Sequence, residues 1–169
     1  MSGVVVRPAR PDELAAVGEL TVAAYLADGL VPDDHWYVEE LRDAVDRAEH
    51  GTVLVAVGED GGLLGTVTVV RPPSRYAEVA GEHEAELRML AVAPGARRCG
   101  VGELLVRTAM GLARAAGAWT LALTTLTTMA SARRLYERLG LHRAPERDWG
   151  DAAGYTFLVY TAPLSQEVP

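Results

Sequence analysis

The sequence predicts a single α/β domain built on one mixed sheet, and three stretches carry that expectation. The first runs from Glu84 to Ala118: an apolar segment, a Pro-Gly turn, "RRCGVG" and a proline-free amphipathic run, with "WTLALTT" directly after it. Strand, loop, long helix and strand in that order make a crossover between parallel neighbours, which need a long connection. The second is the pair "TVLVAVG" and "GLLGTVTVV" separated by "EDG", a compact antiparallel hairpin. The third is "YTFLVYT", whose aromatic and apolar residues suit a final strand. A chain of 169 residues is long enough to bury a core without metals or disulfides. One domain is expected over residues 1–163, with 164–169 as a loose tail beyond Pro163.

Composition narrows the partners. Hydrophobic residues at 49% and charged residues at 23% are ordinary globular values, which argues against extensive disorder. A net charge of -7 speaks against a nucleic-acid surface and makes the Arg97-Arg98 pair stand out. The single cysteine, Cys99, excludes an intrachain disulfide and gives no support for a thiolate metal site, so no metal is expected. No stretch approaches about 18 apolar residues, and no basic opening precedes an apolar run. The expectation is a cytoplasmic protein without a membrane partner.

Along the chain, "VVVRPAR" is a short strand broken by Pro8 and Pro11, and Asp12 and Glu13 suit the first turn of a helix carrying Leu14, Val17 and Thr21 on one face. Tyr25 lies near its end. A second helix starts at Asp33 or Asp34, with Tyr37, Leu41, Val45 and Ala48 recurring every three or four residues. The segment between, "YLADGLVPDDHWY", is either a substrate-facing loop or the anchor by which Trp36 and Tyr37 hold that helix to the core. "RPPSRYAEVAGEH" is a loop before the strand centred on "AELRMLAV". In that strand a period of two puts Glu86, Arg88, Leu90 and Val92 on one face and Leu87, Met89 and Ala91 on the other. The following helix is expected to bury Val101, Leu104, Leu105, Thr108, Leu112 and Ala116. "MASARRLYERLG" is a further helix ending at Gly140.

The strand-loop-helix junction carries the chemistry. Gly100 and Gly102 allow close backbone approach, Arg97 and Arg98 add positive charge, and the helix start offers N-H groups, so the loop suits a phosphate. That phosphate belongs to a nucleotide, a coenzyme or a phosphorylated substrate. The stretch lacks the Walker lysine and serine or threonine and the full dinucleotide fingerprint, which speaks strongly against kinase, GTPase and nicotinamide-enzyme readings.

Arg97, Gly100 and Gly102 in "RRCGVG", the strand "AELRMLAVAP" before them and "ASARRLYERLGL" after them resemble the GCN5-related N-acetyltransferase (GNAT) superfamily. The resemblance implies an acyl-CoA N-acyltransferase fold: a central, mostly antiparallel sheet with flanking helices, in which two parallel central strands splay apart. It implies acetyl-CoA as co-substrate, with its pyrophosphate against Arg97, Arg98, Cys99, Gly100, Val101, Gly102 and Glu103. The pantetheine arm would then lie beside Leu90, Ala91 and Val92, with Met129, Ala132 and Tyr136 contributed by the later helix. Met129 stands where many relatives have asparagine, and a thioether does not reproduce an amide's two-way hydrogen bonding. Thr127, Thr128 or Ser131 is the polar substitute.

The implied activity is acetyl transfer to the primary amine of a small molecule in a direct ternary complex. A peptide or protein amine is an alternative acceptor, and a non-catalytic acyl-CoA sensor is an alternative function. Tyr136 matches the family's general acid, although aromatic packing alone would also account for it. Glu86 matches a general base used by some relatives, against a structural ion pair; Glu84 is the runner-up if a bulge alters which side chains enter the cleft. Tyr25, Trp36, Tyr37 and Trp149 are expected to border the acceptor, as are Asp34, Tyr76, Arg147 and Asp148. Acidic groups there leave room for a cationic amine, while Arg88 or Arg147 could orient a carboxylate. The late strands leave an edge that a homodimer could use.

Overall fold

The computed structural model describes residues 3–165. Eight strands form one sheet: β1 (Val5–Pro8), β2 (Thr52–Val57), β3 (Leu63–Val70), β4 (Glu84–Val92), β5 (Thr120–Leu126), β6 (His142–Arg143), β7 (Trp149–Gly150) and β8 (Thr156–Pro163). Their order is β1-β2-β3-β4-β5-β8-β6, with β7 also beside β8. Every pairing is antiparallel except that of β4 with β5. The expected mixed sheet, hairpin and crossover are therefore present. Among the described residues no helix is long and apolar enough to cross a membrane.

Helices α1 (Leu14–Ala27), α2 (Tyr37–Arg42) and α3 (Ala44–His50) cover one face of the sheet, and α4 (Val101–Ala115) and α5 (Ala130–Arg138) the other. Alternation along β2 shows the two-sided burial: Leu54 and Ala56 join the core under α4, whereas Val53 and Val55 join Leu14, Val17 and Ala44. Fully burying one such aliphatic side chain contributes about 1.5–3 kcal/mol.

Two helical expectations change. The single helix expected from Asp33 or Asp34 is two short ones beginning at Tyr37, divided at Asp43 (φ -82, ψ 69). The Asp43 side chain accepts the Asp46 N-H (3.0 Å), so it caps α3 rather than continuing α2. Val45, expected on the buried face, is consequently 54% exposed. In α4 the buried stripe is Val101, Leu105, Val106, Ala109 and Ala113; Leu104, Thr108 and Leu112 are only half-buried and Ala116 is exposed.

The strand β4 departs from strict alternation. Two steps of β3, Thr66 to Thr68, match three steps of β4, Ala91 to Arg88, and Met89 takes φ 55. This bulge turns Met89 into the core beneath α1 and α2 together with Val22, Leu41 and Val70, while Leu90 and Val92 pack with the α4 side. Glu86 and Arg88 thus do not share a face with Leu90 and Val92. At the C-terminus, Leu164 of the expected tail is buried, and its N-H donates to Trp119 O (2.8 Å). Residues 166–169 of that tail lie outside the described residues.

Candidate active site

Strands β4 and β5 pair only from Glu84–Leu87 against Thr120–Leu123. Beyond Leu87 each keeps its outer partner, β3 or β8, and the two separate. The split leaves backbone and side chains of both strands facing a shared gap, and clefts open on either side of it.

At the end of β4 the chain makes a turn at Pro94–Ala96 and enters the loop before α4. Arg98 (φ 61) and Gly100 (φ 79) are both left-handed, the geometry that gathers successive N-H groups into an anion-binding concavity. The first helical bond of α4 is Leu104 N-H to Gly100 O (3.0 Å), so the N-H groups of Val101, Gly102 and Glu103 are not consumed by the helix. A Cβ on Gly102 would lie 3.3 Å from Leu135 Cδ2, so glycine lets α4 approach α5. Arg98 has no ion-pair partner among the described residues. Arg97 is paired with Asp28 at the end of α1 and also donates to Ala24 O (3.3 Å). Free N-H groups, a helix's positive end and two guanidinium groups fit a polyphosphate ligand.

This loop forms one wall of a cleft of about 600 Å³ that also includes Leu90, Ala91 and Val92 of β4 and Thr128 to Ala132 at the start of α5. A second cleft of about 340 Å³ includes Leu87 to Leu90, Leu123 to Leu126, Tyr136 and the aromatic residues Tyr25, Trp36, Tyr37 and Trp149. Tyr25, Leu30, Leu90 and Met129 line both, so the clefts meet where the strands part. Met129 Sδ accepts a hydrogen bond from Thr125 Oγ1 (3.4 Å).

Tyr136 is 5% exposed, and its hydroxyl has no hydrogen-bond partner among the described residues. Burial raises its pKa, which keeps the phenol protonated. Glu86 lies deeper. Its Oε2 accepts the N-H groups of Glu78, Val79 and Ala80 at 2.9, 3.0 and 3.1 Å, and Oε1 is buried without a partner. Burial raises its pKa, and the N-H bonds from Val79 and Ala80 offset this only in part. Glu84 is held by Arg147 (2.7 Å) and by the Gly81 N-H (2.8 Å); burial opposes its ionisation, but these partners prevail and lower its pKa.

A family model described as "Acetyltransferase (GNAT) family" matches residues 16–141 of this sequence. The chain belongs to that family. Solved structures agree on the fold. A GCN5-related N-acetyltransferase from Kribbella flavida is 24% identical, with a TM-score of 0.70 over 96% of this chain and 98% of that one. The YncA protein of Salmonella typhimurium, solved with its cofactor acetyl-CoA, is 18% identical, with a TM-score of 0.71 over 99% and 98%. The ribosomal-protein-S18-alanine N-acetyltransferase of Escherichia coli is 19% identical, with a TM-score of 0.69 over 96% and 94%. No curated protein matches the sequence.

Within this GNAT domain the residues named from sequence divide by position. Leu90, Ala91, Val92, Arg97, Arg98, Gly100, Val101, Gly102, Glu103, Met129 and Ala132 line the first cleft. Cys99 does not line it; it is exposed, with Sγ 3.4 Å from Arg97 O. Tyr25, Trp36, Tyr37 and Trp149 all line the second cleft, together with Tyr136. Glu86 and Glu84 line neither, nor do Asp34, Tyr76, Arg147 and Asp148. Three of these are engaged elsewhere: Tyr76 with Asp46 (2.5 Å), Arg147 with Glu84, and Asp148 with Arg143 (2.6 Å).

Sequence reasoning missed Glu78, Glu40, Tyr155 and Phe157, all of which line the second cleft. Glu78 sits in a loop with no periodicity to mark it, and only the three-fold anchoring by Glu86 could have drawn attention to its neighbours. Among the described residues, Asp46, Glu49 and His50 bring potential metal-ligand atoms within 4.8 Å of one another. None lines either cleft, and Asp46 is already engaged by Arg75 and Tyr76.

Proposed function

We propose that this GNAT protein transfers the acetyl group of acetyl-CoA to the primary amine of a small molecule in one ternary complex. The observation that carries the reading is the meeting of the two clefts at the β4–β5 split, with the unpartnered Tyr136 hydroxyl in the lining. The larger cleft has an anion-binding loop at its end, and the smaller has the size of a small-molecule site. The Escherichia coli relative named for a ribosomal-protein alanine keeps a peptide N-terminus as the second acceptor class.

Acetyl-CoA supplies the thioester; the chain must bind it, admit an uncharged amine and manage two protons. Residues 97–103 hold the pyrophosphate through backbone N-H groups and the Arg97 and Arg98 side chains. As the amine nitrogen bonds to the acetyl carbon and the carbon-sulfur bond breaks, Tyr136 gives its hydroxyl proton to the departing sulfur. The amine's surplus proton passes to a carboxylate at the cleft wall. Of the three carboxylates in the lining, Glu40, Glu78 and Asp151, the role is assigned to Glu78, which lies 3.0 Å from Arg88. Glu86 then serves as a positioning residue: it holds the three N-H groups that fix the loop carrying Glu78. This reassigns the base expected at Glu86.

An amine library with acetyl-CoA, read by thiol release and by the mass of the acetylated product, tests the activity. Turnover with at least one amine is expected, and no turnover with any amine would favour a sensor. All 16 basic residues other than histidine are arginine, so no lysine side chain of the protein competes for acetyl groups. Arg97→Ala is expected to raise the Kd for acetyl-CoA about 10- to 100-fold, the range for losing a hydrogen bond to a charged group. The acceptor KM should stay near wild type. An unaltered coenzyme Kd in calorimetry would sink the phosphate role.

A further inference from the structure

The second cleft has a chemical character that goes beyond "amine". One aromatic group in its lining is Tyr25, Trp36 and Tyr37, in edge contact at 6.5 Å (Tyr25 to Tyr37) and 5.5 Å (Trp36 to Tyr37). A second is Trp149, Phe157 and Tyr155, the first two stacked at 4.1 Å. Trp36 is 72% exposed and Tyr155 40% exposed, although such side chains ordinarily bury their rings. Aromatic rings left open in one cleft gain burial when a flat apolar group settles against them.

The charges of the slot point the same way. Its lining holds three carboxylates, Glu40, Glu78 and Asp151, and one guanidinium, Arg88. Arg88 is 9% exposed and already committed: it donates to Tyr76 O and to the Tyr37 hydroxyl (3.3 Å), and it pairs with Glu78 Oε1 at 3.0 Å. A ligand carboxylate would have to displace Glu78 from Arg88 and would face the other two acids at close range. Glu40 makes no ion pair or side-chain hydrogen bond among the described residues, so its charge is free to attract an ammonium group. Arg88 is therefore a poor receptor for an amino-acid carboxylate, the role open to it from sequence alone.

We infer that the acceptor is a hydrophobic primary amine without an acid group, an aromatic ring on a short alkylamine being the best fit. This rests on the acetyl-transfer reading above and narrows it. The ring lies against the aromatic lining, and the amine, attracted as a cation by Glu40 and Glu78, loses its proton before attacking.

The test compares phenethylamine, phenylalanine, phenylalanine amide and ethylamine with saturating acetyl-CoA, by thiol release and by quenching of the Trp36 and Trp149 fluorescence. Phenethylamine should exceed phenylalanine by at least about 100-fold in kcat/KM, with the amide, which lacks the negative charge, recovering most of the difference. Trp36→Ala should raise the KM for phenethylamine about tenfold and leave that for ethylamine near wild type, since only the ring contact is lost. Phenylalanine used as well as phenethylamine overturns the exclusion of an acid. Neither turnover nor quenching with phenethylamine overturns the assignment, whatever other amines do. Turnover of any other amine would in that case leave the acetyltransferase reading standing.

Discussion

Tyr136→Phe is expected to lower kcat about 100- to 1,000-fold, within the range for losing a positioned general acid, with little change in acetyl-CoA affinity. The hydroxyl is the only atom removed. It has no hydrogen-bond partner among the described residues, so its loss leaves no orphaned group behind. The ring remains packed among Leu105, Leu141 and Tyr160, whose ring lies 6.2 Å away, and thermal stability should stay near wild type. Burial raises the Tyr136 pKa, so the phenol remains the acid form throughout the neutral range and wild-type activity should show no tyrosine titration there. Steady-state kinetics with a saturating amine, beside calorimetric binding of acetyl-CoA, separates the outcomes. A variant with wild-type kcat and wild-type coenzyme affinity would leave Tyr136 with aromatic packing alone. A variant with wild-type kcat but weaker coenzyme affinity would make it a binding residue.

The fold was legible because its strongest signals are local and periodic. The "EDG" hairpin, the crossover and the glycine-bearing loop each occupy adjacent residues, and their chemistry follows from spacing. The lining of the first cleft was legible for the same reason: nine of the residues named for it fall within one strand, the loop that follows it and the first turn of α4. What failed was whatever depends on competition between neighbours. Asp43 is a good helix residue by periodicity of its surroundings, but its carboxylate finds the Asp46 N-H and divides the helix. Met89 looks like one more alternating apolar residue, but Met89 and Leu90 of β4 together face Val67 of β3, and the inserted residue reverses every side chain after it. The same limit hid the backbone contacts of Glu86. A glutamate on a central strand reads as a base, and nothing in its immediate sequence says that a loop eight residues earlier will fold over it and spend its oxygen on backbone N-H groups. Glu78, which does reach the cleft, has no pattern around it at all.

Removing the Glu86 carboxylate tests that revised role most directly, and stability is where the effect should appear. Glu86→Ala leaves three N-H groups, those of Glu78, Val79 and Ala80, without their acceptor. Orphaning buried donors costs about 1–3 kcal/mol each, and partial access to water in a loop reduces the sum, so a loss of about 3 kcal/mol is expected. For a domain of this size that lowers Tm by roughly 6–12 °C in a thermal melt. Glu86→Gln keeps an accepting oxygen and should recover most of the loss. The folded-state pKa of Glu86 is raised by burial, so the folded protein binds more protons than the unfolded chain between the usual carboxyl range and that raised value. Its contribution to stability is therefore full below the usual carboxyl range and is lost as pH rises through the raised pKa; Glu86→Gln should flatten that slope. A loop that loosens also releases Glu78, so Glu86→Ala should raise the amine KM as well as lower Tm, whereas Glu78→Gln should reduce kcat with a smaller loss of Tm, that of weakening its pair with Arg88. If Glu86→Ala instead kept its Tm and lost kcat with the basic limb of the pH profile, Glu86 itself would be the proton acceptor, reached through water, and the anchoring of residues 78–80 would be incidental.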